Sequence, residues 1–189
     1  MTTTATLPDT LTGTYALDPA HTRLGFVARH AMVTRVRGSF TEFAGSGHFD
    51  QEDPSRSHLS VIIEANSVDT RNADRDAHLR SNDFFAMEAY PQLTFESTEV
   101  AQVGDATFRV TGDLTIKDVT KPVTIDFKLE GPAIDPYGNV RIGLEGSTVV
   151  NRKDWGVVWN APLETGGVLV GEKVTLEFEV SAIRQSDDA

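Results

Sequence analysis

Apolar side chains recur at every second position along most of this chain, the period of a strand with one face buried and the other in water. Leu24, Phe26 and Ala28 alternate with Arg23, Gly25, Val27 and Arg29. The same period runs through Leu59, Val61, Ile63 and Ala65, through Leu93, Phe95 and Ser97, and through Phe108, Val110, Gly112, Leu114 and Ile116. It continues in Val123, Ile125, Phe127 and Leu129, in Ile142, Leu144, Gly146, Thr148 and Val150, and in Val174, Leu176, Phe178 and Val180. With the segment 36–49, which carries Phe40, Phe43 and Phe49, the count is about eight strands. Turn formers separate them: Asp53-Pro54, Gly104-Asp105, Lys121-Pro122, Gly131-Pro132 and Pro136-Tyr137-Gly138-Asn139. Glycines inside the runs, such as Gly38, Gly112 and Gly146, fit bends where a sheet curls on itself. One-sided strands in this number either close into a barrel or stack as two sheets. Closure removes exposed edges, and this chain carries little edge protection. The expectation is an all-β fold, an antiparallel eight-stranded barrel.

Residues 67–90 break the alternation. Ala73, Ala77 and Leu79 among Asp74, Asp76, His78 and Arg80 read as a short helix, with Asp76 and Arg80 at an i, i+4 spacing that favours one. The stretch ends in Phe84, Phe85 and Met87, which need cover from water, so it is expected to pack across a barrel opening. No repeat or linker divides the chain. One domain is expected over 15–183, between polar tails at 1–14 and 184–189.

Composition narrows the function. The net charge of -11 repels phosphate backbones, which argues against nucleic-acid binding and against docking on an anionic membrane through a basic patch. The absence of cysteine excludes disulfides, thiolate catalysis and thiolate metal sites. The five histidines have no metal-binding spacing, and no Gly-x-Ser-x-Gly or phosphate loop is present, so neither a metal nor a catalytic residue is expected. The N-terminus has neither a basic nor an apolar signal region and nothing is long enough to span a bilayer, so a cytoplasmic location is expected.

Several motifs now stand in one order: Asp18-Pro-Ala-His-Thr22, Val36-Arg-Gly-Ser-Phe40, Asp69-Thr-Arg-Asn-Ala-Asp-Arg-Asp-Ala-His78 with Asp83-Phe-Phe85, Phe95-Glu-Ser-Thr98, Thr111-Gly-Asp-Leu-Thr-Ile-Lys117 and Asn151-Arg-Lys-Asp-Trp-Gly156. The likeness they belong to runs from Tyr15 to about Ala182. On them the chain resembles the YceI-like family, lipocalin-like polyisoprenoid-binding proteins. The resemblance implies a barrel enclosing an apolar tunnel for a long-chain isoprenoid, such as a prenyl quinone or a polyprenyl diphosphate. From the relatives it also implies an occasional homodimer; with no catalytic motif and no bilayer-spanning stretch, a carrier rather than an enzyme, no cofactor besides the bound lipid and only transient membrane contact are expected. Many relatives are exported, whereas this chain shows no signal peptide.

An eight-stranded barrel is either filled by its own side chains or holds one ligand. If it holds one here, the alternation points Phe26, Phe40, Ile63, Phe95, Leu114 and Phe127 at the tunnel, with Phe84 and Phe85 near its mouth. His30 shares the parity of Phe26 and joins the inward set. Each could equally be ordinary core. Arg75, His78 and Arg80 form a charged cluster that either contacts a lipid head group or pins the helix to the rim. Asn151, Arg152, Asp154 and Trp155 pose the same choice. A binder of fatty acids or other amphiphiles is the alternative, followed by a lipid-modifying enzyme and by a filled barrel with an interacting exterior.

Overall fold

The computed structural model describes residues 7–186. Eleven strand segments form one antiparallel sheet: β1 (Gly13–Leu17), β2 (Arg23–His30), β3 (Thr34–Phe40), β4 (Phe43–Phe49), β5 (His58–Glu64), β6 (Val68–Asp69), β7 (Gln92–Gln102), β8 (Thr107–Ile116), β9 (Val119–Ile134), β10 (Val140–Asn151) and β11 (Val170–Arg184). β1 and β2 are two halves of one strand, parted by the turn Pro19–His21, where the Asp18 side chain accepts from the Ala20 N–H. β3 and β4 are likewise one strand with a break at 41–42. Each long strand pairs with the next in sequence. β11 then returns to β1 at one end and to β2 at the other, which closes the ring. The result is the expected eight-stranded antiparallel barrel, with the short β6 added beside β3.

The alternation read from the sequence is the alternation of the wall. Phe26 and Leu176 are Cα partners, as are Phe95 and Leu114, so these apolar side chains share the inner face. In β7 the pairing slips between Ser97 and Glu99. This bulge reverses the parity beyond it and brings Val100 inward, where it is buried.

The two ends of the barrel differ. Short turns at 50–57, 103–106 and 135–139 share one end with the N-terminal segment, where the Arg184 guanidinium donates to the Thr10 and Thr12 carbonyls. β1 starts at Gly13 and β11 runs to Arg184, so the sheet reaches slightly into both polar tails. Residues 1–6 and 187–189 of those tails lie outside the described residues. The two long excursions, 65–91 and 152–169, are both at the other end. The first contains α1 (Ala73–Arg80), capped by Asn72, whose side chain accepts from the Arg75 N–H at 2.9 Å. Asp76 and Arg80 do not pair with each other. Asp76 is buried and accepts from the Thr70 N–H and hydroxyl, at 2.9 and 2.6 Å. Arg80 donates to the Asn66 and Val68 carbonyls. Both contacts fold the loop back onto its helix, which the linear spacing does not reveal.

Candidate functional site: an apolar cavity inside the barrel

The barrel is not filled by its own side chains. A cavity of about 230 Å³ runs inside it, and its lining is almost entirely carbon. Inward residues such as Leu59, Phe95, Leu144, Leu176 and Phe178 are only half-buried although they point away from bulk solvent, because they face this space.

Glycines hold the lumen open. Gly38 is the Cα partner of Phe26, and Gly146 of Phe127. Gly112 lies on the strand beside Phe95, one inward position from its partner Leu114. At all three, a Cβ would overlap the neighbouring phenyl ring. Each ring therefore lies along the wall over a residue with no side chain instead of projecting across the barrel. The sequence suggests bends at these glycines; the structure adds close aromatic approach.

One end of the cavity is sealed. Trp155 is buried, and its indole N–H donates to the Leu114 carbonyl at 2.9 Å. Phe84 is buried in the same cluster. His78 meets Phe84 and Trp159 edge to face, at centroid distances of 5.0 and 4.6 Å. Phe85 meets Phe40 edge to face, at a centroid distance of 5.7 Å. At the other end the wall is notched. Pairing between β5 and β7 ends at Ser60 and Glu96, whereas β7 continues six residues further to Gln102. Here the Leu59 N–H donates to the Ser97 hydroxyl at 2.8 Å, and Ser46, His48, His58 and Ser60, whose side chains alternate onto the outer face, border the lumen. His48 and His58 are Cα partners whose rings stack at 6.0 Å.

Of the residues expected to line a tunnel, Phe26, Phe40, Ile63, Phe95, Leu114 and Phe127 do line the cavity. Three do not. His30 is exposed at the end of β2, beyond the reach of the lumen, because the β2–β3 hairpin projects past the barrel end. Phe84 and Phe85 belong to the plug at the sealed end, not to an open mouth.

The polar candidates hold the plug in place. Arg75 donates to the Thr70 hydroxyl at 2.7 Å and to the Thr70 carbonyl at 2.8 Å. His78 is bonded to Asp83 at 2.7 Å. Asn151 caps its turn by accepting from the Lys153 N–H, and Asp154 is exposed on the same turn. Arg152 is buried and donates to four carbonyls, those of Val157, Trp159, Val170 and Gly171. Burial pulls its pKa below that of a free guanidinium. Arg75, Arg80 and Arg152 each donate to the chain's own carbonyls and so fasten the two excursions at the rim.

Tyr15, Phe49, Phe108 and Phe178 line the cavity without having been singled out. The parity of Phe108 and Phe178 was the available signal. Tyr15 is buried and donates its hydroxyl to the Leu11 carbonyl at 2.8 Å; burial raises its pKa. The other titratable groups with shifted pKa values, such as Asp18, Asp126 and Asp135, lie outside the lining. No helix among the described residues is long and apolar enough to cross a membrane.

Known proteins share both the sequence and the architecture. A UPF0312 protein from Pseudomonas aeruginosa is 42% identical over 165 residues, covering 87% of this chain and 83% of that protein. One from Yersinia pseudotuberculosis is 42% identical over 137 residues, covering 72% and 71%. The crystal structure of the Campylobacter jejuni YCEI protein superposes with a TM-score of 0.71 at 27% identity, covering 84% of this chain and 90% of that one. A polyisoprenoid binding domain from Saccharophagus degradans shares the fold, with a TM-score of 0.68 at 16% identity over 90% of this chain and 98% of its own. The sequence model of the YceI-like domain matches residues 15–182. With the barrel, its plug and these motifs in one order, the chain belongs to the YceI-like family.

Proposed function

We propose that this protein binds one long apolar lipid, an isoprenoid, in its barrel and carries or stores it without changing it chemically. The observation that carries this reading is the cavity itself: a lumen lined by carbon, in a barrel that its own aromatic residues leave open. An unfilled apolar space forgoes packing contacts, and an apolar chain entering it gains roughly 0.8 kcal/mol per buried methylene before ordering losses. The titratable groups of the lining are Tyr15, His48 and His58, and the two histidine side chains alternate onto the outer face. That distribution supports a binder over an enzyme, whose acid and base groups would converge where the substrate reacts. Family membership and the polyisoprenoid binding domain with the same fold favour an isoprenoid among apolar lipids.

The test is mass spectrometry of an organic extract of the purified protein, repeated after loading apo protein with prenyl quinones and fatty acids of graded length. A stoichiometric prenyl lipid, or preferential loading with one, is the expected result. Selective retention of fatty acids or amides would move the cargo to that class. Failure to load any apolar lipid would overturn the carrier reading.

A further inference from the structure

The β2–β3 hairpin departs from the rest of the molecule in charge. Residues 19–41 contain no acidic side chain, in a chain with 28 of them, yet they carry Arg23, Arg29, Arg35 and Arg37. All four alternate onto the outer face of the hairpin, opposite Leu24 and Phe26. Glu177 on β11 takes up Arg23 and Arg37, at 3.4 and 3.5 Å. Arg29 and Arg35 are Cα partners, directly across the ladder from each other, and among the described residues neither has an acid within ion-pair distance. Like charges directly opposite are unfavourable in a sheet. An external anion would relieve that repulsion.

The tip of the same hairpin is apolar and strained. Met32 and Val33 are 60% and 73% exposed. The Val33 N–H donates to the His30 carbonyl, and the two residues between them, Ala31 and Met32, have positive φ, 48° and 63°. Asn-Gly usually fills such a turn because it avoids the Cβ clash. Here the backbone accepts that strain with a large apolar side chain at the tip. The neighbouring excursion steadies it: the Ala31 N–H donates to the Leu169 carbonyl at 2.7 Å, and the Met32 sulfur lies against Gly167.

We infer that this hairpin docks the protein on an anionic lipid bilayer, with Met32 and Val33 entering the headgroup layer and Arg29 and Arg35 meeting lipid phosphates. The net negative charge opposes docking only for the chain as a whole. Screening confines each charge to a radius of about 8 Å at physiological salt, so the local arginines decide. The opposite end of the barrel also exposes apolar residues, Tyr137 and Val103. The turns at that end carry Asp50, Glu52, Asp53, Asp105 and Asp135, which an anionic surface repels, whereas the loop 161–169 against the hairpin tip carries Glu164 alone. Charge therefore selects the hairpin. This inference goes beyond the cavity's cargo and stands on separate observations: a barrel that took a different cargo would still dock.

The test is flotation with vesicles of phosphatidylcholine alone and of equimolar phosphatidylcholine and phosphatidylglycerol, at rising salt. The wild type is expected to float with the anionic vesicles only, and less as salt rises. Arg29→Gln with Arg35→Gln should weaken that binding on the order of 20- to 30-fold, about fivefold for each arginine. The same pair should melt no lower than the wild type, since it removes a like-charge contact. Met32→Asn with Val33→Ser keeps a residue suited to positive φ and should weaken binding at least about tenfold. Tyr137→Ser, at the opposite end, should leave it unchanged. Equal binding to both vesicle types, no binding to either, or loss with Tyr137→Ser alone would overturn the inference. Lipid extracted from the same variants reads the cavity separately: unchanged cargo with lost flotation separates docking from the carrier reading.

Discussion

Replacing Gly38 by alanine should impair lipid binding while leaving the barrel folded. A methyl group at this position overlaps only the far end of the Phe26 ring, a flexible group that can swing off the wall into the lumen. Moving a ring off its rotamer costs about 0.5–1.5 kcal/mol. Removing a glycine from a strand returns about 0.5–1 kcal/mol. The two nearly cancel, so stability should change by no more than about 1 kcal/mol and Tm by no more than about 4 °C. Binding responds differently. A phenyl ring fills a cavity on the order of 150 Å³, and the whole lumen is about 230 Å³. A ring turned inward therefore takes a large share of the space. Each methylene it excludes costs about 0.8 kcal/mol, and two weaken binding by more than tenfold. Thermal melting and mass spectrometry of the extract, on the same preparations, read the two effects apart. Unchanged lipid binding at unchanged Tm would refute the idea that the Phe26–Gly38 contact keeps the lumen open. A fall of more than about 10 °C would show that the space beside Gly38 belongs to the packed core.

Phe95→Ala with Phe127→Ala should cost less stability than the usual 3–5 kcal/mol for each buried phenylalanine, because both rings line an open lumen, and should sharply reduce retained lipid. Collapse of the fold with lipid retained would contradict that lining. Arg152→Met should strand the four carbonyls that the guanidinium satisfies and lower Tm by roughly 5–15 °C, read by calorimetry; an unchanged Tm would show that the plug does not depend on it. Acid should loosen the opposite end. The Arg141 guanidinium and then His21 hold the Asp18 carboxyl down to about 2, below its ordinary value of 3.8, and Asn139 and Arg141 lower Asp135 in the same direction. Both pKa values are depressed in the folded state, so their contribution is complete above about pH 4 and is lost as pH falls toward 2. Arg141→Gln should raise both folded-state pKa values toward the ordinary 3.8 and so shrink that loss without moving its onset near pH 4, in melting curves taken across this range; an undiminished loss would refute the assignment.

The sequence by itself determined the wall. A strand has period two whatever it pairs with, so the positions of Phe26, Ile63, Phe95, Leu114 and Phe127 could be placed on one face before any partner was known. The eight runs and the scarcity of edge protection pointed to closure. The family motifs, and the excursion ending in Phe84 and Phe85, were equally plain in the chain. Only the tertiary structure decided what the inward face encloses. Whether a lumen is filled depends on which residue lies across from each ring, and the matching of Phe26 with Gly38 and of Phe127 with Gly146 is a matter of register between strands. The same dependence misplaced His30, whose parity is inward but whose hairpin runs past the barrel end. It also sent Phe84 and Phe85 to the sealed end, since the sequence does not say that the two long excursions share one side. Charge behaved in the same way. The acid-free stretch 19–41 is legible in the chain, but that Arg29 and Arg35 face each other across a ladder is again a matter of register, and screening over about 8 Å makes that proximity decisive.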